Sequence, residues 1–215
     1  VTTPLPDPED LTARARIRDA AAWHFGESGF EGATIRGIAE TAGVSSGLLR
    51  HHFGSKQALR EACDEHLVKL IRRLDDSARA DPVPGMNPLA AARLAMGPYQ
   101  RYLTRALTEG WAAPVFDQMV EVGETWLTEA DSKRPDQPYA DRRVRAALIV
   151  AMALAVPVLH QHLSRVLGID ALGAEGDATL ARALLDIYSH PMLSPDEAAT
   201  HLDLLNATVK EYDHD

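Results

Sequence analysis

Residues 34–53 read TIRGIAETAGVSSGLLRHHF. Two short apolar patterns flank a small turn containing glycine, which is the arrangement of a helix-turn-helix. Thr34 stands where it can cap the first helix, which carries Ile35, Ile38, Ala39 and Ala42 on one side. Ala39 is small where the second helix crosses the first, and Gly43 suits the left-handed conformation of the turn. Ser45 caps the second helix, and Ile38, Val44 and Leu49 are apolar where the two helices hold together. Ser45, Ser46 and Gly47 put small residues and free backbone N–H groups at the start of that helix, where they can approach DNA phosphate; Arg50, His51 and His52 follow along it. The competing reading is a helical hairpin that binds only protein, and the basic residues of the second helix speak against it.

Outward from this stretch the pattern stays helical. On the N-terminal side a helix from about Asp10 to Ser28 presents Ile17, Ala20, Ala21, His24 and Phe25 along one face, and Gly29 ends it. On the C-terminal side Ser55 caps a long helix from Lys56 to about Arg79, striped by Leu59, Cys63, Leu67, Leu70 and Leu74. Lys56 beside that helix N-terminus is expected to hold a phosphate. The run Asp81-Pro82-Val83-Pro84-Gly85 marks the clearest internal boundary. Beyond it the expected helices run from Asn87-Pro88 to about Thr108, Pro114 to Ala130, Tyr139 to Leu167, Ala178 to Ser189, and Pro195 to Tyr212. The last opens on a capping box, Ser194 with Glu197. No strand or internal repeat stands out, so the fold class is all-α, with about nine helices.

The 215 residues are 46% hydrophobic and 25% charged, which excludes a disordered tail or a fibre. The single Cys63 excludes a disulfide framework and a multi-cysteine zinc module, and it fits a reducing cytosol. The N-terminus lacks the basic start and apolar core of a signal peptide. The apolar run from Ala146 to Leu159 falls short of the roughly 20 residues a membrane span needs. A cytoplasmic protein with no membrane partner is expected. The net charge of −9 by itself argues against nucleic acid, but it is unevenly spread. Between Asp10 and Arg60, seven basic residues face five acidic ones, and nearly all the negative charge lies behind them.

The residues Gly32-Ala33-Thr34-Ile35-Arg36-Gly37-Ile38-Ala39, then Ala42-Gly43-Val44-Ser45, Gly47, Leu49, His52-Phe53, Ser55-Lys56 and Leu59 together resemble the TetR family of bacterial transcriptional regulators. The resemblance covers about 50 residues. It implies a DNA-binding head over residues 10–55, followed by a connector helix and an effector-binding and dimerisation domain over residues 56–215. It implies a homodimeric regulator, expected to be a repressor released from palindromic double-stranded operator DNA by an unidentified small molecule. The expected DNA contacts are Thr34, Arg36, Ser45, Ser46, Gly47, Leu48, Arg50, His51, His52 and Lys56. Arg50 departs from the family, which often carries Tyr there; it can hold a phosphate or read a guanine edge. Leu48 replaces a frequent small hydroxyl residue and suits a thymine methyl.

No nucleophile elbow or phosphate-binding loop occurs, so an enzyme is not expected. The spacings of His51-His52 and of His160 and His162 do not place either pair on one helix face, so neither a metal nor a cofactor is expected. Cys63 on the apolar stripe reads as an inert core thiol. The effector cavity implied by the resemblance is assigned to Tyr99, Tyr102, Trp111, Phe116, Met119, Trp126 and Met152, apolar residues several of which have polar tips. The dimer interface is assigned to Leu148, Met152, Leu159 and Leu163 with Leu180, Leu184 and Ile187, because the helix through Leu148 is apolar on both sides and needs a second cover.

Overall fold

The computed structural model describes residues 8–80, 96, 99–190 and 192–212, and they form ten helices; no strand occurs among the described residues. The proline-rich boundary at 81–85 and the expected helix start at Asn87-Pro88 lie outside the described residues, as does the N-terminal segment before Pro8. The chain divides into two compact units, Val1–Gly168 and Ile169–Asp215.

The first unit begins with α1 (Pro8–Gly32), α2 (Ile35–Ala42), α3 (Ser46–Phe53) and α4 (Lys56–Ala80). Alternation of alanine with large apolar residues lets α1 bury Ala13, Ile17, Ala20, Ala21 and Phe25. Gly29 interrupts α1 with φ 72°, ψ 173°, the backbone break its glycine permits. The core continues without a gap through Ile38, Leu49, Phe53, Leu59, Cys63 and Leu67 into Tyr99, Tyr102 and Ala106 of α5 (Tyr99–Thr108). The functional division expected at residue 55 is therefore not a division of packing. Cys63 is buried, and burial raises its thiol pKa far above the ordinary value, in keeping with a core thiol.

α6 (Ala113–Asp131) and α7 (Arg142–Val158) pack through a smaller cluster, Val120, Ala146 and Val150. The single helix expected from Tyr139 to Leu167 is corrected at both ends of its first part. Asp141 caps α7, accepting from the N–H groups of Arg143 at 2.8 Å and Val144 at 3.4 Å, so Tyr139 lies before the helix. After Val158 the chain bends by 65° into α8 (His160–Leu167). Pro157 is the penultimate residue of α7; it cannot donate to the preceding turn, and its ring crowds the carbonyl four residues back. The unbroken apolar pattern concealed this proline's effect, and the break brings the count to ten helices. Among the described residues no single helix is long and apolar enough to cross a membrane; α7 and α8 together have the length and composition, but they are bent.

The second unit contains α9 (Ala174–Ser189) and α10 (Pro195–Tyr212). α9 starts four residues earlier than the sequence indicates. A turn at Asp170, which accepts from Leu172 N–H, leads directly into it. A Cβ on Gly176 would lie 2.3 Å from the Asp170 carbonyl oxygen, so this close approach requires glycine. The capping box is formed: Glu197 accepts from Ser194 N–H at 2.9 Å while Ser194 Oγ accepts from Glu197 N–H at 3.3 Å.

Candidate nucleic-acid interface

The helix-turn-helix is assembled by its caps. Thr34 Oγ1 accepts from Gly37 N–H at 3.1 Å and opens α2. Gly43, at φ 67° and ψ 38°, closes it with the left-handed turn its sequence position implied. Ser45 Oγ then accepts from Leu48 N–H at 3.1 Å and opens α3. These two hydroxyls are engaged within the fold, which leaves Thr34 and Ser45 at the surface as cap residues first.

On α3, Leu49 and Phe53 face the core, whereas Gly47, Arg50 and His51 are exposed and Ser46, Leu48 and His52 are half-buried. Arg50 makes no ion pair or hydrogen bond among the described residues, so its guanidinium is available. Arg36 is exposed on α2 and pairs with Glu40 at 2.9 Å, a contact that solvent weakens. His52 is turned inward: its Nε2 is buried with no partner among the described residues. Helical rotation puts His52 between the exposed Arg50–His51 edge and the core, so of the expected DNA contacts on α3 it is the one that packs inward.

Arg14, which sequence reasoning missed, donates to the His52 carbonyl oxygen at 2.7 Å and lies 4.3 Å over the Phe53 ring. It fixes the C-terminal end of α3 against α1. Its signal in the sequence was an arginine one turn before the buried Ile17.

Lys56 is corrected as well. Its ammonium donates to the carbonyl oxygens of Phe30 at 2.7 Å, Ala33 at 3.1 Å and Glu31 at 3.4 Å, and lies 4.5 Å from the centre of the Phe30 ring. All three donors of the ammonium meet carbonyls that the end of α1 leaves without helical partners. A cation attracted to the carbonyl end of a helix explains this placement better than a phosphate does. Arg105 of α5 does the same one turn earlier, donating to the Gly26 carbonyl at 3.0 Å.

The seven residues expected around an effector do not gather in one place. Tyr99 and Tyr102 are buried in the shared core and line neither apolar cavity. Tyr99 hydroxyl donates to Asp19 at 2.8 Å and accepts from Arg18 at 2.6 Å, and Tyr102 hydroxyl donates to Asp64. Burial is the chief reason the Asp64 carboxyl pKa is raised. Those buried hydroxyls needed partners, which placed both rings in the α1–α4–α5 junction.

Met119 and Trp126 border a cavity of about 320 Å³ with Ile71, Leu74, Leu103 and Val122, between α4, α5 and α6. Its one ionisable group, Asp75, accepts from Trp126 Nε1 at 2.8 Å and from Arg79 at 3.0 Å. Trp111 and Phe116 border a second, of about 450 Å³, with Leu107, Ala151, Leu154 and Val158, between α5, α6 and α7. Met152 lines neither and is 62% exposed on the outer side of α7.

That outer side also exposes Val144 and Leu148; Leu159, at the break between α7 and α8, is exposed too, whereas Leu163 of α8 is half-buried. In the second unit Leu180 and Leu184 are half-buried, and Leu185, Ile187 and Tyr188 are exposed.

Residues 17–63 match the family described as "Bacterial regulatory proteins, tetR family". The HTH-type transcriptional regulatory protein RaaS of Mycobacterium tuberculosis is 34% identical over 190 residues, which cover 86% of this chain and 84% of that protein. The HTH-type transcriptional regulator BetI of Paraburkholderia phytofirmans is 32% identical over 83 residues, 37% of this chain and 43% of that one. A solved gamma-butyrolactone receptor, described as an ArpA-like protein, superposes with a TM-score of 0.56 at 25% identity, covering 84% of this chain and 99% of that one.

Proposed function

The chain belongs to the tetR family of bacterial regulatory proteins and is a DNA-binding transcriptional regulator, and from that premise we propose that it acts as a cytoplasmic homodimeric repressor. It occupies a palindromic operator and leaves when a small molecule enters its helical body. The observation that carries this reading is the α2–α3 pair, capped at Thr34 and Ser45, with Gly47, Arg50 and His51 exposed along α3.

In this proposal α3 enters the major groove. Backbone N–H groups at Ser46 and Gly47, together with Arg36, hold phosphates. Leu48 meets a thymine methyl, and Arg50 takes a guanine edge or a phosphate. Residues 10–55 serve as the reading head and residues 56–215 as connector, effector-binding and dimerisation part. Two heads related by a two-fold axis would meet successive major grooves about 34–36 Å apart. The exposed apolar side of α7, through Val144, Leu148 and Met152, supports a subunit contact there. The cavities beside α6, and the likeness to a gamma-butyrolactone receptor, support a response to a small molecule.

The test is a gel shift against the DNA upstream of the chain's own gene. Retention of a fragment bearing an inverted repeat, lost with Arg50→Ala at matched salt, is the expected result. Failure to retain any such fragment in low salt would overturn the reading.

A further inference from the structure

We propose that the cavity between α5, α6 and α7 is a site for a lipophilic organic cation, which names the class of effector on the reading above and rests on it. The walls are apolar and aromatic: Trp111, Phe116, Ala151, Leu154 and Val158. A volume near 450 Å³ accommodates an alkyl or aryl body.

The polar groups decide the charge. Asp117 is the one ionisable lining residue, and no lysine, arginine or histidine lines the cavity. Its carboxylate has no ion pair or hydrogen bond among the described residues. The side-chain donors that an anion or a carbonyl ligand would need are already engaged. Trp111 Nε1 donates to Glu109 at 3.0 Å, and the Thr108 hydroxyl donates to the carbonyls of Thr104 and Arg105, each at 3.0 Å. At the start of α6, Pro114 has no N–H, and those of Val115 and Phe116 return to the Ala112 carbonyl at 3.0 and 3.3 Å. The positive end of the α6 dipole thus presents no free donor from these residues, while Asp117 places a full negative charge at the wall.

The neighbouring cavity supplies the contrast. Its Asp75 is already met by Arg79 and by the Trp126 indole, so it exerts no comparable pull on a charged ligand. Of these two cavities, the one at Asp117 joins an apolar aromatic surface, which attracts a cation through its rings, to a carboxylate with no partner among the described residues.

The experiment uses three probes with one chain length, decyltrimethylammonium, 1-decanol and decanoate, titrated calorimetrically into the full chain without DNA and below micelle-forming concentrations. The ammonium ion is expected to bind about five- to tenfold more tightly than the alcohol, the scale of one partly exposed ion pair with aromatic help, and decanoate more weakly than either. Asp117→Asn should bring ammonium and alcohol within about twofold of each other while leaving alcohol binding unchanged. Ala151→Phe, which fills the cavity from α7, should abolish binding of both, with thermal unfolding confirming that each variant folds.

Decanoate binding as tightly as the ammonium ion, or a preference that survives Asp117→Asn, overturns the proposal. Operator release is measured separately. Cation binding with the expected preference but no release leaves the site standing and removes the effector reading; release without the preference does the reverse.

Discussion

The reading head and the outer side of α7 are both apolar in sequence, yet they end in opposite environments. In the head, Ile17, Phe25, Ile38 and Leu49 are fully enclosed by their own chain. On α7, Leu148 and Met152 are each about 60% exposed, on a helix whose opposite side, Ala146 and Val150, is buried. An apolar pattern states that a surface will be covered. It does not state whether the cover is the same chain, a ligand or a second subunit. In the head α1, the two short helices α2 and α3, and α4 close over one another; α7 packs its inner side mainly on α6, with Leu154 reaching the main core.

The comparison breaks most sharply at Phe25. Phe25→Ala should cost about 3–5 kcal/mol, read as a lowered urea midpoint, because it empties the junction of the head and α5. Met152→Ala in contrast should change the stability of the isolated subunit by less than about 0.5 kcal/mol. Met152→Glu should shift sedimentation toward the monomer and weaken operator binding with it; a dimer that persists unchanged places the interface elsewhere.

Next in size is Lys56→Met, which leaves the carbonyls of Phe30, Glu31 and Ala33 without their cation. A loss of about 1–3 kcal/mol in stability is expected, with the slope of log K for operator binding against log salt unchanged. A slope flattened by about 2 for the dimer would restore Lys56 to the phosphates.

Arg50→Ala removes no hydrogen bond or ion pair among the described residues, so stability should hold, while preference at one operator base pair relaxes by about 1–3 kcal/mol if Arg50 reads a base. A uniform loss over all sequences would make it an anchor. Thr34→Ala is the smallest, about 1 kcal/mol of stability through the lost α2 cap.

Much of the head was legible because its determinants are local. Thr34, Gly43 and Ser45 act on N–H and C=O groups within five residues of themselves, so type and spacing alone predicted their caps and turn. Pro157 was equally visible, but an apolar run of the right period outweighed one residue, and the bend after Val158 went unread. Arg14, Lys56, Tyr99 and Tyr102 were misjudged or missed for another reason. Their partners lie 38, 23 to 26, 80 and 38 residues away, respectively.

By itself the sequence determined the helical class, the positions of the helix-turn-helix caps, and the side of each head helix that would be buried. These follow from periodicity and from hydrogen bonds between near neighbours. Only the tertiary structure decided that the Lys56 ammonium closes α1 and that the tyrosines satisfy carboxylates in the core. It also decided that Trp111 and Trp126 border different cavities, and that among the described residues Asp117 has no hydrogen-bond or ion-pair partner while Asp75 has two. Burial and electrostatic pairing depend on what the rest of the chain brings within a few ångströms, and the spacing of residues along one helix carries no record of that.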